Sequence, residues 1–107
     1  MNKTFLEYVE HADALRGVMD KHGVAFEKTV SADGGKTYHG FRFDEPLKLL
    51  GGKLGEDLCD AGYNPQVIRH IPTQLIFRLN DEETMVIRPH GIDESLEEFA
   101  RGKAING

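Results

Sequence analysis

Tryptophan is absent and cysteine occurs once, at Cys59, so no disulfide can close within the chain. That usage fits a reducing compartment. No apolar run approaches the roughly 18–20 residues that a membrane-spanning helix needs. The N-terminal stretch MNKTFLEYVE lacks the apolar core of a secretion signal. Together these absences set the expectation of a cytoplasmic protein that meets no membrane. His11, His22, His39, His70 and His90 show no metal-ligand spacing, and neither H-E-x-x-H nor G-x-S-x-G occurs. No cofactor and no metal are expected. An excess of positive charge is also missing. Lys and Arg number 13 against 18 Asp and Glu, a net charge of -5, which works against binding nucleic-acid phosphates.

One phosphate-binding signal is present in part, Gly35-Lys36-Thr37. A phosphate loop needs a glycine five residues before Gly35, where Val30 stands, and a helix after the Lys-Thr pair. TYHGFRF reads as a strand instead, so the stretch is a hairpin turn and no nucleotide is expected.

What is present is the pattern of one domain. A chain of 107 residues, 39% hydrophobic and 29% charged, is expected to fold as a single globular unit over 1–107. Phe5, Val9, Ala12, Leu15 and Met19 recur at helical spacing and predict a helix over 4–22. Thr4 and Glu7 form a capping box at its start, and Gly23 stops it. Residues 24–43 read as a hairpin turning on Gly34-Gly35, which places Phe26 across from Phe43, Val30 across from His39 and Glu27 across from Arg42. His39 then lies on the inner face as a satisfied core histidine. Asp44 and Pro46 open a helix that Gly51-Gly52 interrupts. A second piece over 53–61 buries Leu54, Leu58 and Ala61, with Cys59 as a small buried hydrophobe, and Gly62 ends it.

Residues 66–79 and 84–90 read as a second hairpin around Asn80–Glu83. Leu75-Ile76-Phe77 and Met85-Val86-Ile87 are continuous apolar triads, the mark of strands covered on both faces. Asp93 caps a last helix with Leu96, Phe99 and Ala100 turned inward and Gly102 at its end. The expected fold is α+β, with an antiparallel sheet of two hairpins packed with helices in the order α-ββ-α-α-ββ-α. DEPLKLLGGK resembles DESLEEFARGK, and LRGVMDKHGV resembles LGEDLCDAGY. An αββα pseudo-repeat would explain these likenesses, and the general similarity of helix caps is the simpler account.

Leu54, Leu58, Gly62 and Tyr63, the aromatic Phe77, and Pro89-His90-Gly91 before the last helix give the second half a loose resemblance to HicA-type small toxins. These are RNA-cleaving proteins with a double-stranded-RNA-binding-like fold that runs helix, glycine, three strands, helix. Their Gly-Ser-His element would fall on Pro72-Thr73-Gln74, so the catalytic histidine is missing, and the family is usually basic where this chain is acidic. The resemblance implies a shared topology and no more.

Arg42, Arg69, Arg78 and Arg88 sit on expected strands. Either the three in the second hairpin form a basic patch or they pair across strands toward solvent. Glu56, Asp57 and Asp60 read as a polar helix face, and Gly51–Gly55 as a helix break rather than an anion nest. With no catalytic signature, the leading expectation is a non-catalytic binding protein of inhibitor or immunity type. It would cover a partner protein or a second copy through Arg78, Asp81, Glu82, Glu83 and Arg88. The alternatives are an RNA-binding or nuclease-like domain using the strand arginines, and a small enzyme with a dispersed site.

Overall fold

The computed structural model describes residues 5–91, 96 and 97, and of these the side chains of all but 5–12, 32 and 33. The Thr4–Glu7 capping box, the Asp93 cap and the inward placement of Phe99 and Ala100 lie outside the described residues. The described chain forms α1 (Phe5–Lys21), β1 (Ala25–Ala32), β2 (Lys36–Arg42), a 3₁₀ helix (Pro46–Gly51), α2 (Leu54–Asp60), β3 (Gln66–Ile71), β4 (Gln74–Arg78) and β5 (Glu83–Arg88). Leu96 and Glu97 are helical. Both α-helices end as their glycines require. Gly23, at φ 73°, lets the Val24 amide return to the Met19 carbonyl at 3.1 Å. Gly62, at φ 98°, lets Tyr63 do the same to Leu58 at 3.0 Å.

The strands make one five-stranded mixed sheet in the order β1-β2-β5-β4-β3, so the fold is a single α+β domain. Three pairings are antiparallel, but β2 and β5 run parallel, Thr37 beside Glu83 through Arg42 beside Arg88. The wholly antiparallel sheet expected from two hairpins is therefore corrected. So is the single strand over 66–79. Pro72 and Thr73 form a tight turn that separates β3 from β4, because a proline has no amide to continue a ladder. The second half thus runs helix, three-strand meander, helical residues, the order that the toxin resemblance implied. With two strands in one half and three in the other, the αββα repeat is not reproduced.

The first hairpin also departs from expectation. Ala32 pairs with Lys36 around a three-residue turn, with Gly34 at φ 80° and Gly35 at φ 78°. The glycines supply the positive φ expected of them, but the turn is one residue longer. The longer turn and a bulge at Glu27, between Phe26 and Lys28, each shift the register by one residue, so Phe26 lies across from Phe41, not Phe43. An inserted residue switches which face the following side chains take. β2 begins at Lys36, so Gly35-Lys36-Thr37 leads into a strand.

Both sheet faces are covered, as the apolar triads implied. Leu15, Met19, Leu54 and Leu58 pack on one face against Phe41, Leu75, Phe77, Met85 and Ile87. Phe26 meets Phe41 edge-on at 5.5 Å, and the Arg16 guanidinium lies 3.9 Å from the Phe26 ring centre. On the other face Leu96 seats on Ile76 and Val86, with Val30 and Tyr38 around it. Cys59 is exposed rather than buried, because the inner side of α2 is taken by Leu54 and Leu58. Asp44 does not cap the 3₁₀ helix, where Glu45 holds the N-cap position and Pro46 the first turn. Its carboxylate goes to His90 instead.

Candidate functional site

The five residues expected to form a contact surface divide into two groups. Arg78, at the end of β4, and Asp81 and Glu82, in the following turn, are exposed. Glu83 is only 8% exposed and Arg88 is 0% exposed, so neither belongs to an accessible patch. Glu83 is held by the fold. One carboxylate oxygen accepts from His39 Nε2 at 2.8 Å, and the other accepts from Asn80 Nδ2 at 2.8 Å. Thr29 Oγ1 lies 3.0 Å from His39 Nδ1, so the inner-face histidine is satisfied. Asn80 Oδ1 accepts the amides of Glu82 and Glu83, both at 2.9 Å, and so shapes the turn. Burial, with the Glu83 carboxylate nearby, pushes the Tyr63 phenol above its ordinary value. Glu83→Ala is expected to lower unfolding free energy by about 2–3 kcal/mol, because it leaves buried donors unmet. Asp81→Ala should stay within about 0.5 kcal/mol. Urea denaturation checks both, and equal small losses would refute the assignment of Glu83 to the fold.

Arg88 is buried beside Glu27. Its Nη2 donates to Glu27 Oε1 at 3.0 Å, and Arg42 Nε donates to the same oxygen at 3.0 Å. Arg42 also donates to the Pro89 carbonyl at 2.8 Å. The expected Glu27–Arg42 pair thus forms, but from the bulge rather than by direct opposition. The strand registers set Arg42 beside Arg88, Arg78 beside Thr84 and Arg69 beside Ile76. Neighbours across a ladder share a face, so all four arginines share the face that carries Leu96. Arg42 and Arg88 are occupied with Glu27, and Arg69 donates to Gln74 Oε1 at 3.1 Å. Arg78 remains at the surface.

Among the described residues four large apolar side chains are exposed. Leu50, at 45%, stands alone on the 3₁₀ helix, while Val67, Ile68 and Ile71, at 41%, 44% and 42%, cluster on β3, an outermost strand. β1, at the opposite edge, exposes Glu27, Lys28, Thr29 and Ser31. Reading 66–79 as one strand concealed this edge. The signal that could have found it is Pro72, which makes the preceding QVIRHI a short strand of its own.

Two histidine–carboxylate pairs are also present. His22 Nε2 donates to Asp57 at 2.7 Å and ties the end of α1 to α2. His90 Nδ1 donates to Asp44 at 2.7 Å. That bond holds the Asp44 carboxyl below its ordinary range. Gly23, Phe43, Asp44, Glu45 and His90 line an open pocket of about 450 Å³. It sits where β2 and β5 end. An imidazole paired with a carboxylate can move a proton, but this lining brings no hydroxyl, thiol or amine to act as a nucleophile. Among the described residues no group of three His, Cys, Asp or Glu side chains is placed to hold a metal, and no helix is long and apolar enough to cross a membrane. Comparison with protein families, with curated proteins and with solved structures gives no match to this chain.

Proposed function

We propose that the chain is a non-catalytic binding protein that acts by contact with a partner protein, through the outer edge of β3. The observation that carries this reading is the contrast between the two sheet edges. An edge strand offers a row of backbone donors and acceptors, and proteins guard such rows with charge. β1 presents Glu27 and Lys28 and no exposed large apolar side chain, whereas β3, beside its one charge at Arg69, exposes Val67, Ile68 and Ile71. Adding a strand to such an edge is a recurrent mode of recognition. Of the exposed members of the expected surface, Arg78 pairs with Gln66 at the start of β3 and so lies one strand in from this edge, whereas the Glu82 carbonyl accepts the Thr37 amide of β2 and lies away from it. The RNA-binding alternative would use the arginine-bearing face, where Arg42 and Arg88 already serve Glu27 in a chain of net charge -5.

The test is selection from a displayed library of extended peptides. The wild-type chain should enrich binders, and Val67→Lys with Ile71→Lys should lose them while keeping the far-ultraviolet circular dichroism of the parent. Binders that hold the double variant equally well would place the contact elsewhere. Salt-dependent retention on RNA, abolished by Arg78→Ala, would favour the RNA-binding reading.

A further inference from the structure

Resting on that reading, we infer that the β3 edge takes an extended acidic segment of a partner protein rather than a second copy of this chain. The registers settle which side chains an added strand would meet. Ile71 pairs with Gln74, Arg69 with Ile76 and Gln66 with Arg78, all on the face that carries Leu96. Val67 pairs with Phe77 and His70 with Leu75, on the opposite face. An incoming strand therefore finds an exposed apolar side chain on each face, Ile71 on one and Val67 on the other. On the first face it also meets Arg69, which keeps its bond to Gln74, and one strand further in, behind Gln66, the exposed Arg78. The complement is a strand with apolar residues over Val67 and Ile71 and with aspartate or glutamate beside Arg69 and opposite Gln66, on the side toward Arg78.

The same chemistry already closes the other half of this face. Leu96 seats on Ile76 and Val86 while Glu97 pairs with Lys28. There an apolar side chain and a carboxylate cover the sheet together, using the chain's own residues.

A second copy does not offer that complement. β3 is QVIRHI and has no carboxylate. Two-fold pairing of β3 with itself centres near residues 68 and 69. It brings the two Arg69 side chains to opposite or diagonal positions on one face, an arrangement that like charges disfavour. Pairing β3 with the β1 edge of another copy is a head-to-tail contact, which builds rings or fibres, and it would set the bulged β1 edge against β3.

Because the chain has no tryptophan, a single tryptophan in a synthetic peptide reports binding without interference. Three short peptides keep isoleucine or valine at the positions over Val67 and Ile71 and differ only at the positions beside Arg69 and opposite Gln66, which hold glutamate, glutamine or lysine. The glutamate peptide should bind the wild-type chain about tenfold more tightly than the glutamine peptide at low ionic strength, with the advantage shrinking as salt rises. Arg78→Glu, at an exposed site, should reverse the order in favour of lysine, and Arg69→Glu with Arg78→Glu should reverse it further. Val67→Ser with Ile71→Ser, which removes the apolar contacts and adds no charge, should bind none of the three. If the glutamine peptide binds as tightly as the glutamate peptide, and the Val67 and Ile71 variant loses both, the acidic preference is wrong and the edge reading stands. If light scattering shows a wild-type dimer that the same variant dissolves, a second copy is the occupant and the inference is overturned. If the wild type binds no peptide, or the variant binds as well as the wild type, the inference and the edge reading fail together.

Discussion

Glu27→Gln lowers the unfolding free energy by about 2–3 kcal/mol, a loss as large as that expected for Glu83→Ala although Glu27 is partly exposed. The cause is a like-charge pair. Arg42 and Arg88 stand beside each other on parallel strands, and one oxygen of Glu27 receives a guanidinium from each at 3.0 Å. Arg88 is 0% exposed, so water cannot replace the lost carboxylate. Glu27 keeps some contact with solvent, which holds the expected loss below the range for fully buried pairs. Replacing both charges tests the cause. Glu27→Gln with Arg88→Met should recover most of the loss, because an apolar side chain of similar length removes the stranded charge. Urea titration of the two variants decides the matter. A double variant no more stable than Glu27→Gln alone would show that the cost does not arise from Arg88.

Leu96→Ala costs about 2–4 kcal/mol, the range for removing a buried leucine from a packed site. Leu96 is 1% exposed and covers Ile76 and Val86, two side chains with no accessible surface. Its seat depends on Gly40. A Cβ at position 40 would lie 3.0 Å from Leu96 Cδ2, tighter than nine in ten such contacts, so Leu96 would have to give by a few tenths of an ångström. Gly40→Ala is therefore expected to destabilise the wild-type chain. It should cost less in the Leu96→Ala background, where the opposing methyl groups are gone, and that coupling is the informative quantity. Strictly additive losses in a four-member thermal or urea cycle would mean that Gly40 and Leu96 do not press on each other.

Much of this architecture was legible one segment at a time. The ends of α1 and α2 could be read from Gly23 and Gly62, because a left-handed residue closing a helix is a matter of a few neighbouring dihedrals. The cover on both faces of β4 and β5 could be read from the apolar triads, because a side chain of either parity that is apolar must be hidden. The break between β3 and β4 was equally local, in Pro72, but the apolar letters on both sides of it favoured a longer strand.

The contact residues were harder to read. Arg78, Asp81 and Glu82 are exposed, as a charged turn beside a strand end suggests, while Glu83 and Arg88 are spaced no differently in the sequence and are buried. What separates them is a set of partners far along the chain: His39 for Glu83, 44 residues away, and Glu27 for Arg88, 61 residues away.

The sequence by itself determined the single α+β domain, the helix ends, the positive-φ glycines of the first turn and the need to cover the central strands twice. Each follows from forces that act within one turn or one strand. The tertiary structure alone decided that β2 runs beside β5, that the ladder bulges at Glu27 and that β3 is left at the edge with Val67, Ile68 and Ile71 exposed. Strand order and register are choices among pairings of similar local quality. Packing over the whole sheet separates them, through one bulged glutamate that reaches two arginines and one leucine that fits over a glycine.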